Sequence, residues 1–132
     1  MKGLDTNVLV RYLVQDDPGQ AAKAAEFIES HCTNDSPCLV GHITLCELAW
    51  VLESSYQLKR SAIAEVIEQL LQVGQLEVFE PEVVLQALND YKVSNADFPD
   101  HLLARVNQEA GCEVTVTFDR KAAKQPGFEL LK

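Results

Sequence analysis

The sequence predicts an α/β protein, a central parallel sheet flanked by helices. Three observations carry this. Short β-prone runs at 2–5, 38–40, 76–79 and 114–118 alternate with longer helical patterns, the order expected of parallel strands joined by helical crossovers. The first of these runs ends on Asp5, and the last is followed directly by Asp119. In open parallel sheets, ligands bind just beyond the carboxyl ends of the strands. Finally, 132 residues with 47% hydrophobic content can bury one core but not two ordinary ones, so residues 1–132 are read as a single domain.

Each element has a local reason. Residues 2–5 form a short strand that runs into a helix from Thr6, with Val8, Leu9, Tyr12 and Leu13 at helical spacing. Asp17 is placed to cap the next helix and Pro18 suits its first position. That helix, through about Ser30, is expected to bury Ala21, Ala24, Ala25 and Ile28. Asn34–Pro37 reads as a loop, Cys38–Val40 as a strand and 43–55 as an apolar helix. Ser61 is expected to cap an amphipathic helix built on Ile63, Val66, Ile67, Leu70 and Leu71. Leu76–Phe79 alternates like a strand, and Pro81 opens a helix through about Tyr91. A helix from Asp97 to Ala110 stops at Gly111. Val114–Phe118 is the strongest strand, followed by a short basic helix and a last strand near 128–131.

Composition bounds the function classes. No apolar run approaches the roughly 18–20 residues that cross a bilayer, and the N-terminus lacks a secretory pattern, so the expectation is a cytoplasmic protein with no membrane partner. Cys32, Cys38, Cys46 and Cys112 form no CxxC pair and are expected to be reduced, with Cys46 and Cys112 as small core residues. A zinc set of His31, Cys32, Cys38 and His42 matches no common spacing. The net charge of −9 argues on its face against nucleic acid. A cluster of carboxylates built for divalent cations would account for much of that excess, and an acidic surface also favours a basic protein partner.

The informative acids are those not simply solvated. Asp5 and Asp119 stand at strand ends, where each reads equally as a helix cap or a site residue. Glu47 is the only charge between His42 and Leu52, and a carboxylate on a largely buried helix needs a metal or a core-facing arginine. Asp97 and Asp100, three apart, share one face at a helix N-terminus, where one of them can be the cap. Converging carboxylates without His or Cys suit a hard cation, Mg²⁺ or Mn²⁺, able to activate water for phosphodiester hydrolysis. Metal-free glycoside hydrolysis by a carboxylate pair is the weaker fit, since aromatic content is only 7%.

Leu4-Asp5-Thr6-Asn7-Val8-Leu9, Glu47 within 43–52, Ala96-Asp97-Phe98-Pro99-Asp100-His101-Leu102-Leu103-Ala104 and Thr117-Phe118-Asp119-Arg120 together resemble the PIN-domain nucleases, and among them the VapC-type toxins of toxin–antitoxin pairs. The resemblance spans essentially the whole chain. It implies an α/β/α sandwich, an acidic pocket for Mg²⁺ or Mn²⁺, endonucleolytic RNA cleavage, a homodimer and a cognate antitoxin. By position, Asp5, Glu47, Asp100 and Asp119 match the acidic quartet, and Asp97 an additional acidic position. Thr6 and Asn7 fit the first loop, and Thr117 a polar position beside the last acid. Between Asp97 and Asp100, the latter is favoured because it begins the helical pattern. Arg11, Arg105, Arg120, Lys121 and Lys124 lie near the acidic motifs and are candidates for RNA phosphates, with ordinary surface charge as the alternative.

Two other readings are open to test. Asp5-Thr6-Asn7-Val8 loosely resembles the opening of haloacid-dehalogenase phosphatases, but Asn7 stands where those need an acid, and an amide cannot supply the proton. A catalytically silent PIN-like regulatory module, binding partners through its apolar helices, is the non-enzymatic alternative.

Overall fold

Asp5 ends the first extended segment by turning the chain into a helix. In the computed structural model, which describes all 132 residues, the Thr6 N–H donates to Asp5 Oδ1 at 2.7 Å, and α1 (Thr6–Val14) follows at once. The predicted strand at 2–5 is therefore reduced to one parallel bridge, Gly3 with Leu39. It is held by Leu4 N–H to Leu39 O at 2.9 Å and Leu39 N–H to Lys2 O at 2.8 Å. The other elements are α2 (Pro18–His31), β1 (Cys38–Val40), α3 (His42–Ser54), α4 (Arg60–Gln72), β2 (Leu76–Val78), α5 (Pro81–Lys92), α6 (Phe98–Glu109), β3 (Thr115–Thr117), α7 (Arg120–Ala123) and β4 (Phe128–Leu130).

Helices dominate, and every strand pairing is parallel, which makes this an α/β fold. β1 pairs with β2 in the register Cys38–Leu76, Leu39–Glu77 and Val40–Val78. β3 pairs with β4, Thr115 opposite Phe128 and Thr117 opposite Leu130. The strands are three residues long and form two separate pairs, so the expected continuous sheet is divided. The strand expected at 114–118 shortens because Asp119 caps α7, accepting from the N–H groups of Lys121 and Ala122, and so turns the chain.

Most element ends follow their local chemistry. Asp17 caps α2 through the Gln20 N–H at 3.2 Å, with Pro18 in the first position. Gly111, at φ 100°, follows the end of α6 in the left-handed region that glycine occupies without strain. Ser61 is a correction: α4 starts one residue earlier, and Lys59 stands at the cap with no side-chain bond to the helix. Ala25 is only half-buried, while Ala21, Ala24 and Ile28 face inward as expected.

The core is a cluster of 24 buried residues drawn from α1 to α6 with β1 and β2. Leu9, Val40, Leu45, Leu48, Ile67, Val84 and Leu88 are wholly buried. No helix is long and apolar enough to cross a membrane.

The cysteines require a second correction. Cys32 and Cys38 form a disulfide, with Cα atoms 5.2 Å apart. Neither is therefore reduced or free to ligate zinc. The loop from Thr33 to Pro37 folds back, with Thr33 N–H to Ser36 O at 3.1 Å, and brings the end of α2 against the start of β1. Cys46 is half-buried and Cys112 exposed, so Cys112 is no core residue. Closing so short a loop restrains the unfolded chain by about 2 kcal/mol. Reduction is accordingly expected to lower the melting temperature by roughly 5–10 °C, read by circular dichroism with and without dithiothreitol. Titration of four free thiols in the unfolded, unreduced protein would sink this assignment.

Candidate active site

Helix α3 presents two faces, and the acid lies on the open one. Leu45, Leu48, Ala49 and Leu52 form its buried stripe. Glu47 is exposed, with no arginine paired to it. This corrects the expectation that Glu47 is a carboxylate on a largely buried helix: its apolar neighbours Ile43 and Trp50 also face outward. The Thr6 hydroxyl donates to Glu47 Oε1 at 3.0 Å, which ties the start of α1, and so Asp5, to α3. A longer bond from Thr44 Oγ1 to Leu4 O, 3.4 Å, runs parallel to it.

Glu47, Asp97, Asp100 and Asp119 line one cavity of about 590 Å³, whose opposite wall is apolar. Asp97 precedes α6 and Asp100 lies in its first turn, so the positive end of the helix dipole faces both. Asp119 enters from the end of β3, where its N–H donates to the Thr117 hydroxyl at 3.0 Å. Thr6 and Thr117 thus each fix one acid. Asp5 does not line this cavity; with Asn7 and Arg11 it borders a neighbouring depression. The ambiguity between cap and site resolves for Asp5 and Asp119 in that both are caps, and capping leaves further carboxylate oxygen lone pairs free.

Electrostatics single out Asp100. Partial burial, then the charges of Asp97 and Asp119, push its carboxyl above its ordinary value, while a backbone hydrogen bond at Asp97 and then the charge of Lys121 pull the other way. Cys46, between this group and Glu47, has its thiol raised by burial and then by Asp100 and Glu47, so it is a poor nucleophile. No three of these donors are drawn close enough to cage an ion. An open, all-oxygen set fits Mg²⁺ or Mn²⁺, because Mg²⁺ keeps several waters and binds through only one or two carboxylates.

The basic candidates divide. Arg11 donates to Asp16 at 3.0 Å and Gln20 at 2.7 Å. Arg105 grips Asp90 in a fork at 2.7 and 3.0 Å and lines a different cavity of about 230 Å³. Arg120, Lys121 and Lys124 are exposed beside Asp119, with no salt bridge.

Arg60 went unrecognised in the sequence. Its Nη2 donates to the carbonyls of Tyr91, Ser94 and Ala96 at 3.0, 2.9 and 2.8 Å, and the guanidinium lies over the Tyr91 ring at 4.1 Å. Its ion pair with Asp97, 3.9 Å long and half-exposed, adds little. The carbonyl bonds fasten the loop that carries Asp97 into α6. His101, its proton affinity lowered by burial, bonds the Ser94 hydroxyl from beneath. No sequence signal links residues so far apart.

Residues 3–127 match the PIN domain family. The chain is a member of the PIN-domain family. It is also 27% identical, over 98% of its own length and 94% of the other's, to a protein of Aquifex aeolicus (strain VF5) named VapC ribonuclease. No solved structure matches it.

Proposed function

We propose that this chain is a Mg²⁺- or Mn²⁺-dependent endoribonuclease, formed by one domain over residues 1–132, and the toxin of a toxin–antitoxin pair. The carrying observation is the convergence of Glu47, Asp97, Asp100 and Asp119 on one cavity, with Asp5 joined to it through Thr6, in a PIN domain whose relative is named a ribonuclease. When bound, the divalent ion supplies an activated water and offsets charge on the phosphate.

The chain's own residues do the rest. Asp5, Glu47, Asp97, Asp100 and Asp119 would hold the ion, directly or through water. Thr6 and Thr117 orient two of those acids. Arg120, Lys121 and Lys124 offer donors to flanking phosphates. Cleavage leaves a 5′-phosphate and a 3′-hydroxyl. The net charge of −9 suits a basic antitoxin segment, and the family reading adds a homodimer.

The test is incubation of the antitoxin-free protein with RNA and Mg²⁺ or Mn²⁺, beside an Asp5→Asn variant. Metal-dependent cleavage that the variant loses is expected. Folded protein that cuts no RNA would favour the silent regulatory module, and cleavage surviving Asp5→Asn would move the chemistry to another site.

A further inference from the structure

We propose that Trp50 is the platform on which a base of the RNA substrate stacks, beside the phosphate held over the carboxylates; this rests on the ribonuclease reading above. Ile43, Glu47 and Trp50 recur at helical spacing along the open face of α3. Trp50 is 71% exposed, although tryptophan is on average a highly buried residue. It lines the same cavity as Glu47, Asp97, Asp100 and Asp119, with Ile43 and Leu103 completing the apolar wall.

A carboxylate floor beside an indole wall matches the two halves of a nucleotide. The acids would hold a divalent ion that offsets the phosphate's charge, and the base presents a π-face to the ring. With only Arg120, Lys121 and Lys124 free near the site, an uncharged contact adds to what the phosphate donors supply. At net −9 the protein gains little long-range attraction for RNA. Arg11, Arg60, Arg105 and Lys92 are committed to acceptors within the chain. Stacking supplies affinity without net charge and tolerates any base, because every base has a π-face. A second copy laid on this face would set carboxylate against carboxylate with no phosphate-bridging ion between them, which disfavours it as the occupant.

Trp50 is the only tryptophan, so intrinsic fluorescence reports this position alone. A short single-stranded oligoribonucleotide, added with Ca²⁺, is expected to quench it, and the same oligonucleotide with an abasic residue next to the cut phosphate to quench it less. In Mg²⁺ or Mn²⁺ kinetics, Trp50→Ala is expected to raise KM by roughly 5- to 150-fold with little change in kcat. Trp50→Phe is expected to recover most of that loss. Equal KM for wild type and Trp50→Ala would overturn the stacking role and leave the nuclease reading intact. No cleavage by the wild type would overturn the nuclease reading and the stacking with it. Fluorescence that shifts with protein concentration in the absence of RNA, together with a doubled mass that Trp50→Ala abolishes, would assign the face to a second copy and overturn the proposal.

Discussion

Asp100→Asn is expected to cut RNA cleavage by a factor on the order of 10²–10³, the range seen when one group that stabilises transition-state charge is removed. The same substitution is expected to raise the melting temperature at neutral pH. Burial, Asp97 and Asp119 hold the Asp100 carboxyl above its ordinary value of 3.8. The folded state therefore binds this proton more tightly than the unfolded chain does. The associated stability is present below the unfolded value and is lost as pH rises through the raised folded value. Above that raised folded value the native state bears the full repulsion of Asp97 and Asp119, which asparagine removes. The stabilising effect of Asp100→Asn should thus be largest near neutrality and shrink toward acid. Added Mg²⁺ or Mn²⁺ should raise the wild-type melting temperature more than the variant's, because an ion that binds only the native state stabilises it by mass action. Thermal melts across pH and single-turnover cleavage check both halves. A variant that cleaves within tenfold of wild type, or melts lower at neutral pH, contradicts this account of the pocket.

What could be read from sequence follows the range of the interactions. Asp5, Asp17 and Asp119 act on N–H groups one to three residues away, so their capping was legible. The helix of Phe98–Glu109 and its stop before Gly111 were legible for the same reason. Glu47 was found for an imperfect reason. Its apolar neighbours suggested burial, but Ile43 and Trp50 are exposed, and only tertiary packing decides which side of an all-apolar helix faces the core. Val116 and Phe118 make the same point for a strand: their β-propensity placed β3, yet both side chains are exposed. The Cys32–Cys38 bond depends on how one loop folds back, and Arg60 on carbonyls some thirty residues downstream, 31 to 36 positions away. Neither leaves a periodic trace. The recurrence of acids at element ends did leave one, because a parallel fold gathers such ends in one place.

Phe98→Ala is expected to cost about 3–5 kcal/mol of folding stability, a large share of the 5–15 kcal/mol typical of a whole domain. Phe98 is 1% exposed, lies between Asp97 and Asp100, and meets the Tyr91 ring edge-on with centroids 5.9 Å apart. Tyr91 in turn carries Arg60, which grips the carbonyls of the loop leading to Asp97. Truncation at Phe98 leaves a void at the first link of this chain, so the carboxylates should lose position as well as the fold losing stability. Cleavage by the fraction still folded should fall too, which denaturant melts run beside cleavage assays can separate from simple unfolding. Phe118→Ala is the matched control: the same change at a side chain 76% exposed, next to Asp119, should stay within about 0.5 kcal/mol. If Phe98→Ala behaved like Phe118→Ala in the melts, the packing beneath α6 would not be what holds Asp97 and Asp100 in place. If it unfolded the protein yet left folded molecules fully active, Arg60 and the helix start alone would suffice to position them.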